Sequence, residues 1–498
     1  MMKSDKELTT VFFTIVAKNY ISYARTLCES IAKHHPDAKV YICLSDRLSE
    51  ELEINNEKYE LIEADDLDIL NYDSFAFRYD VMEFSTAIKP QMFRWIFNHT
   101  NAKKVIYLDP DILVVSPLVQ VLDLLDQGAS AVLTPHLLSR IDDTYLPNEN
   151  TMLQVGVYNL GFIALSRQEE AHKLVTWWCD RLEKGAIVDL ANGLFTDQKW
   201  ADLMPCLFGG VAVLRDTGYN AAYWNLMHRQ IRNVEGQWLA NDKALAFFHF
   251  SGVNPNQPTV FSKHQDRYML SDVGQLKSLY EYYLERLKVN GYFETKNLPY
   301  VFNYLDEGTK IHAAMRSYFR SNLDNPKSDV KNPFALSPAY FNQSESKYGK
   351  KSPVTRFMAG LLQQSSELQK SFDLNSLSGQ YAYASWFVHS ASNVYGVDER
   401  YIQPVAEILA GWASDSPDSL GLMSSFKNKV YIIGYGFYRK YPALARKLIR
   451  LLPESLRYRI KSATKNNIYS PITKSLINSE GHYGLQISDN VDIEKKKK

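Results

Sequence analysis

The sequence predicts an α/β fold: a mainly parallel sheet with helices on both faces, followed by a mostly α-helical C-terminal region. Three observations carry this. Short, almost wholly apolar runs recur through the first third, at 11–16, 40–44 and 105–108, as strands buried on both faces require. Between them lie stretches whose apolar residues fall at helical spacing, such as Ala24, Leu27 and Ile31, and strand–helix–strand alternation of this kind builds a parallel sheet. Beyond about residue 261 the pattern changes, and helical periodicity dominates from 276 to 288.

Taken in order, the run 11–16 is a buried strand that leads into a helix over 20–35. The run 40–44 is the next strand and ends on Ser45 and Asp46; 59–62 supplies a third. A helix over 89–99 precedes the strand 105–108, and apolar residues resume at Ile112-Leu113-Val114-Val115. Strands at 131–133 and 161–165 alternate with a helix near 169–183. The segment 327–340 is rich in Pro, Asn and Ser, which punctuate structure. The expected organisation is a domain over 1–300, a helical module over 301–420 to which no role is assigned, and a basic, aromatic segment over 421–498.

The chain has 498 residues, more than one ordinary core holds. Hydrophobic residues make up 45% and charged residues 22%, an ordinary globular composition. Formal net charge is zero, so no global field draws nucleic acid, and no nucleic-acid role is expected. Cys28, Cys43, Cys179 and Cys206 show no metal-ligand spacing, which reads as reduced thiols. The first ten residues are polar, and no apolar run approaches the ~20 residues that cross a bilayer. The expectation is a cytoplasmic protein that meets a membrane only from its surface, on the inner face of the cytoplasmic membrane. The segment 427–465 fits such attachment: Lys427, Lys429, Arg439, Lys440, Arg446 and further basic residues are opposed only by Glu454 and interleaved with aromatic and aliphatic ones. Each well-placed cation contributes ~1 kcal/mol on anionic lipid. A basic helical pair packed on the protein is the alternative.

In parallel α/β sheets ligands sit beyond the carboxyl ends of the strands, which singles out residues 17–20, 45–46 and 109–111. Asp109-Pro110-Asp111 is the central motif. Two acids wedged between buried apolar runs are costly unless paired or metal-bound, and hard divalent cations take carboxylate oxygens. The same spacing in Asp66-Leu67-Asp68 reads as a solvated helix start, so context rather than spacing carries the signal. A pair of turn carboxylates is the other reading. His249, in a run of Phe residues ending at Gly252, is suited to be the third ligand of a manganese-like ion; a hydrogen-bonded core histidine is its alternative.

These motifs, in this order, resemble the glycosyltransferases of the GT-A fold, especially family 8. Residues 105–112 look like that family's strand and metal-binding DxD site, with Asp109 also facing the donor. Tyr158-Asn159-Leu160-Gly161 resembles its Asn-Ala-Gly segment, which implies that Asn159 and Gly161 line the donor-sugar pocket. Thr196-Asp197-Gln198 is similar to its Asp-Gln pair beside the anomeric carbon. Tyr219-Asn220 and Trp224 fit the stretch that follows, and His249 to Gly252 looks like its HxxG. The resemblance implies a metal set of Asp109, Asp111 and His249 holding Mn2+ (or Mg2+), with Lys89, Asp197 and Gln198 catalytic. Ala17, Asn19 and Tyr20 would lie near the nucleotide, and Gly252 near the diphosphate. The family continues HxxG into Lys-Pro-Trp; Val253-Asn254-Pro255 stands here, and Lys263 or His264 is the substitute for that lysine.

The activity implied is metal-dependent transfer of a hexose from a nucleotide-sugar donor, UDP-linked, to a glycan or lipid-linked acceptor in bacterial surface-polysaccharide synthesis, with retention at the anomeric carbon. The helical stretch 352–409 looks like a module of bacterial surface-polysaccharide glycosyltransferases. Two rivals share the fold. A sugar-phosphate nucleotidyltransferase carries a Gly-rich basic loop after the first strand, where this chain has residues 14–20 without glycine. A non-catalytic module binding glycans or partners has no need of intact metal ligands.

Overall fold

A computed structural model describes residues 9–49, 52, 59–322 and 330–415. They divide into two compact units, with the division falling between Phe302 and Asn303. The segments 427–465 and 421–498 lie outside the described residues.

Among the described residues, fourteen strands belong to the first unit. They are β1 (Thr10–Val16), β2 (Lys39–Leu44), β3 (Glu60–Glu63), β4 (Lys104–Leu108), β5 (Ile112–Val114), β6 (Ala131–Pro135) and β7 (Tyr158–Ser166). After them come β8 (Val188–Asp189), β9 (Leu194–Phe195), β10 (Val211–Val213), β11 (Ile231–Val234), β12 (Gln237–Ala240), β13 (Lys243–Ala244) and β14 (Phe247–His249). Seven of them form the main sheet in the order β10-β6-β7-β4-β1-β2-β3. β1 runs parallel to β2 and β4, β2 to β3, and β10 to β6. Only β7 is reversed, pairing antiparallel with both β4 and β6. The mainly parallel α/β fold read from the sequence is therefore the fold observed.

Helices α1 (Ile21–His34), α2 (Tyr72–Phe77), α3 (Val81–Ala87), α4 (Lys89–His99), α5 (Val119–Asp126), α6 (Glu149–Val155) and α7 (Glu169–Leu182) accompany the sheet. α1 buries Ile21, Ala24, Leu27, Cys28 and Ile31, the stripe that helical spacing marks out, against Phe12, Val40 and Ile42 of the strands. α3 opens on a capping box in which Asp80 accepts from the backbone of Met82 and Glu83, and Glu83 returns the bond to Asp80 N–H. α4 follows at once with a proline in its first turn, where a missing N–H costs nothing. This placement leaves Lys89, its first residue, 2% exposed.

Helix Leu276–Val289 packs Leu276, Leu279, Tyr280, Tyr283 and Leu287 into a second cluster with Phe248, Phe250 and Leu113. Phe250 stacks flat on Tyr283, centroids 4.2 Å apart. The second unit is helical, with Ala313–Ser321, Arg356–Gln363, Leu377–Tyr395 and Glu399–Asp415 as its longer elements. Two of these cross in backbone contact: a Cβ at Gly360 would sit 1.9 Å from the Ala314 carbonyl oxygen. Among the described residues no helix is long and apolar enough to cross a membrane, and Cys43, Cys179 and Cys206 are free thiols.

His35 couples this fold to pH. Its Nε2 accepts from the N–H of Leu118, just ahead of α5 (3.1 Å), which requires a neutral ring. Burial, with the neighbouring His34, pushes it from 6.5 down to about 4. The unfolded chain takes up this proton near 6.5 and the folded chain only near 4, so the stabilisation is complete above 6.5 and is lost as pH falls toward 4. Thermal midpoints at pH 7.5 and pH 5 should show the fall. His35→Gln, which keeps an acceptor for Leu118, should reduce it; an equal fall in both proteins would remove His35 from the account.

Candidate metal and nucleotide-sugar site

The acid pair sits where β4 leaves the sheet. Asp109 N–H donates to the carbonyl of Gly161 on β7 (2.7 Å), and Phe250 N–H donates to the carbonyl of Asp111 (2.8 Å). The turn is thus fastened on one side to the main sheet and on the other to β14. β5, immediately after the turn, pairs antiparallel with β14 so that His249 lies opposite Ile112. This register delivers the imidazole to the acids: His249 Nε2 is 2.9 Å from Asp111 Oδ1 and 3.8 Å from Asp109 Oδ2. One ligand atom from each of the three residues falls within 4.8 Å of the others. By contrast Asp66 and Asp68 are exposed beside a 3-10 turn.

The electrostatics follow from enclosure. Desolvation raises the Asp109 carboxyl above its ordinary range, as does the charge of Asp111, while Lys89, His249 and the hydroxyl of Tyr107 pull it down. Desolvation would lower His249, yet Asp111, by charge and hydrogen bond, and then Asp109 hold it above its ordinary value. Two acids and an imidazole at these distances could hold a cation among them. The donor set of two carboxylates and one ring nitrogen fits a manganese- or magnesium-like ion. Tyr107 occupies Asp109 Oδ1 with its hydroxyl, which leaves Oδ2, the oxygen nearer His249, for a ligand. Gly161 supplies the room: a Cβ there would lie 2.3 Å from His249 Cε1 and 2.9 Å from both Asp109 Oδ2 and Asn159 Oδ1.

Behind β7 stands a buried ion pair. Lys89 Nζ lies 2.6 Å from Asp197 Oδ2, both side chains 2% exposed, and also donates to the Leu160 carbonyl (2.9 Å). The ammonium sits 4.2 Å from the centre of the Tyr107 ring. Gln198 opens the 3-10 helix Gln198–Leu203, and its Oε1 accepts from Leu160 N–H (3.2 Å) and from Asn159 Nδ2 (3.3 Å). Lys89, Asp109, Asp111, Asn159, Gly161, Asp197, Gln198 and His249 are therefore one connected group.

The other residues singled out from sequence lie around it. Ala17 is buried at the end of β1, Asn19 is half-buried, and Tyr20 is 44% exposed. The Tyr20 ring stacks on Tyr23 at 4.6 Å, and its hydroxyl is pushed up to about 12 by desolvation and then by the charge of Asp111. The Tyr20 hydroxyl is thus within reach of the charge on Asp111. Gly252 adopts φ +79°, where a side chain is strained, and a Cβ would collide with His264 Cδ2 and Ser262 Oγ at 2.6 Å. Lys263 is half-buried, and burial lowers its ammonium. His264, held near 4 by burial and then by Lys263, is the neighbour that feels Asp111.

Sequence reasoning missed His136 and Tyr107. His136 follows β6 and is 4% exposed; its ring meets Trp224 edge-on at 5.4 Å, and Trp224 in turn meets His249 at 5.1 Å. The strand-end rule that found Asp109 applies equally at residue 136 and would have found it. Tyr107 gave no signal, because a tyrosine inside a buried strand looks like core.

Two substitutions test this arrangement. Gly161→Ala should displace His249 and weaken Mn2+ binding by calorimetry at least about tenfold, the scale of damage to groups that orient metal ligands; unchanged affinity would mean the ring is not confined there. Lys89→Met strands a buried carboxylate and should cost about 3–5 kcal/mol in chemical denaturation, with much of the loss recovered in Lys89→Met/Asp197→Leu. A cost under about 1 kcal/mol, the scale of an exposed ion pair, would show that the pair is solvated.

No family model matches the chain. It is 25% identical over 286 residues to YfnD, an uncharacterized protein of Bacillus subtilis (strain 168), across 56% of this chain and 88% of that one. It is 24% identical over 256 residues to YfnF of the same organism, an uncharacterized protein as well, across 49% and 82%. Among solved structures it is similar to the galactosyltransferase LgtC in complex with donor and acceptor sugar analogs, at 17% identity and a TM-score of 0.35, covering 58% of this chain and 97% of that one. A second is the glycosyltransferase GlyE of Streptococcus pneumoniae TIGR4, at 14% identity and a TM-score of 0.33, covering 60% and 67%.

Proposed function

We propose that the protein is a metal-dependent glycosyltransferase of the GT-A type. It moves a hexose from a UDP-linked donor to a glycan or lipid-linked acceptor of bacterial surface-polysaccharide synthesis, with retention of anomeric configuration. The observation that carries the reading is the convergence of Asp109, Asp111 and His249 within 4.8 Å at the carboxyl end of β4 in a mainly parallel sheet. Hydrolases and lyases also use such triads. The support for a sugar donor is the ordered set of motifs around the triad, from Asn159 to Gly161, Asp197 with Gln198, and His249 with Gly252.

Asp109 and Asp111 would hold Mn2+ or Mg2+ through one carboxylate oxygen each, and His249 through Nε2; when bound, the ion neutralises the oxygens of a departing diphosphate. The remaining work belongs to the chain. Tyr107 keeps one oxygen of Asp109 occupied, so the other is presented in a fixed orientation. Asp197 neutralises Lys89, whose ammonium donates to the Leu160 carbonyl and so fixes β7 at the donor pocket. Asn159, Gly161, Asp197 and Gln198 shape that pocket, while Ala17, Asn19 and Tyr20 receive the nucleotide. Gly252 lets the chain approach the diphosphate, with Lys263 as the accompanying cation. The reading extends to a domain over 1–300 as catalytic unit, a helical module over 301–420, and a cytoplasmic enzyme held at the inner membrane face through 427–465.

The test is release of nucleotide from a panel of UDP- and GDP-sugars with manganese and with EDTA, for the wild type and Asp111→Ala. Release that needs the ion and falls to background in Asp111→Ala is expected, and proton NMR of the first-formed product should show the donor's anomer. An inverted anomer would remove retention alone. A wild type that neither turns over nor binds any sugar nucleotide in calorimetry overturns the whole reading.

A further inference from the structure

Three primary amides are hydrogen-bonded in series beneath the acid pair. Asn220 Nδ2 donates to Asn159 Oδ1 (2.9 Å), Asn159 Nδ2 to Gln198 Oε1 (3.3 Å), and Gln198 Nε2 to the carbonyl of Val155 (3.1 Å). At the near end Asn220 Oδ1 faces His249 Nδ1 at 3.3 Å. Asn220 is fully buried, and Asn159 and Gln198 are 7% and 9% exposed. Asn220 adopts φ +52°, a left-handed conformation that asparagine tolerates better than most residues.

The direction of this series is decided by groups that cannot exchange roles. Backbone N–H only donates and backbone C=O only accepts. Gly161 N–H donates to the side chain of Asn159 (3.2 Å), so the atom it meets is the oxygen. Leu160 N–H does the same to Gln198 (3.2 Å), and the other end of that amide gives a proton to the Val155 carbonyl. With its oxygen fixed toward Gly161, Asn159 takes its second bond there from a donor, which turns the NH2 of Asn220 toward it. That NH2 spends its other proton on Thr134 Oγ1 (2.9 Å). Only the oxygen of Asn220 is left for His249, and an oxygen there needs a proton on Nδ1.

We infer that Asn159 is a positioning residue which, through Asn220, fixes the tautomer of His249, with Gln198 as the buttress of the series. Nδ1 keeps its proton, so the proton that leaves when the ring is neutralised, or that a cation displaces, is the one on Nε2 beside Asp111 and Asp109. A ring nitrogen's state is set by the hydrogen bond its partner makes, so a glycine amide on β7 determines which face of the imidazole a cation meets. The inference rests on reading Asp109, Asp111 and His249 as the metal set. It gives the amide of Gln198 a task inside the protein, since its oxygen already takes two hydrogen bonds and its NH2 gives one.

The experiment reads nitrogen-15 shifts of the His249 ring, assigned by their loss in His249→Gln and taken at a pH where the ring is neutral, together with calorimetric Mn2+ affinity. The wild type should show the Nδ1–H form. Asn159→Asp, which keeps an oxygen for Gly161 N–H and Asn220, should retain it. Asn159→Leu frees the Asn220 amide, so it should lose the single tautomer and raise the Mn2+ Kd about 10- to 100-fold, the scale for groups that orient metal ligands. Near-ultraviolet circular dichroism reports folding; if Asn159→Leu does not fold, Gln198→Met is read by the same criteria. An Nε2–H ring in the wild type, or an Asn159→Leu protein that keeps both tautomer and affinity, overturns the inference. A wild type with the Nδ1–H ring and bound Mn2+ but no turnover of sugar nucleotides instead sinks the proposed function and leaves the amide series standing.

Discussion

The first unit is organised around one demand: two carboxylates and an imidazole must be held within a few ångströms of each other in a largely desolvated place. Like charges in such a place repel and lose hydration, and both effects push them apart or into their neutral forms. The chain resists that through backbone bonds rather than side-chain packing. Asp109 is tied to Gly161 and Asp111 to Phe250 by main-chain hydrogen bonds, and the register of β5 with β14 sets His249 opposite Ile112. Because these ties lie in a sheet, the carboxylates cannot drift without breaking strand pairing. The surrounding core backs these ties, with Phe250 stacked on Tyr283.

Absence of bulk is as necessary as the ties. Gly161 sits on β7 between the acid–imidazole triad and the amides, and a methyl group there would overlap the imidazole. β7 is also the reversed strand of the sheet, so its first residues, rather than its last, lie at the carboxyl ends of β4 and β6. That reversal brings Asn159 and Gly161 beside Asp109. A parallel strand in the same place would present its end, Ser166, instead.

The polar groups behind the acid pair form two devices that meet at the Leu160 peptide. Lys89 and Asp197 remove each other's charge, and the Lys89 ammonium fixes the Leu160 carbonyl. A buried pair of this kind contributes little net stability, because desolvation offsets the attraction; what it supplies is a fixed geometry. The amide series adds no charge at all. It carries direction from backbone groups to one ring nitrogen, and neutral dipoles do this without competing for a cation.

Much of the α/β unit was legible in the sequence. Apolar runs bounded by polar residues gave β1, β2, β4 and the helix Lys89–His99 to within a residue or two, because strands buried on both faces and one-sided helices leave period and composition in the chain. Asp109 and Asp111 were legible too, since acids between apolar runs violate a local rule. The reversal of β7 was not, because strand direction depends on which neighbours pair, and apolar composition is the same either way. Nor was the partnership of Lys89 with Asp197, or of Asn159 with Asn220 and Gln198, whose residues are up to 108 positions apart along the chain (197 − 89). Sequence by itself determined which residues had to be buried and which acids were anomalous, since hydrophobic pattern and charge placement are local. Only the tertiary structure decided which nitrogen faces the acids and which amide holds it, because a hydrogen bond's direction depends on every partner that shares it.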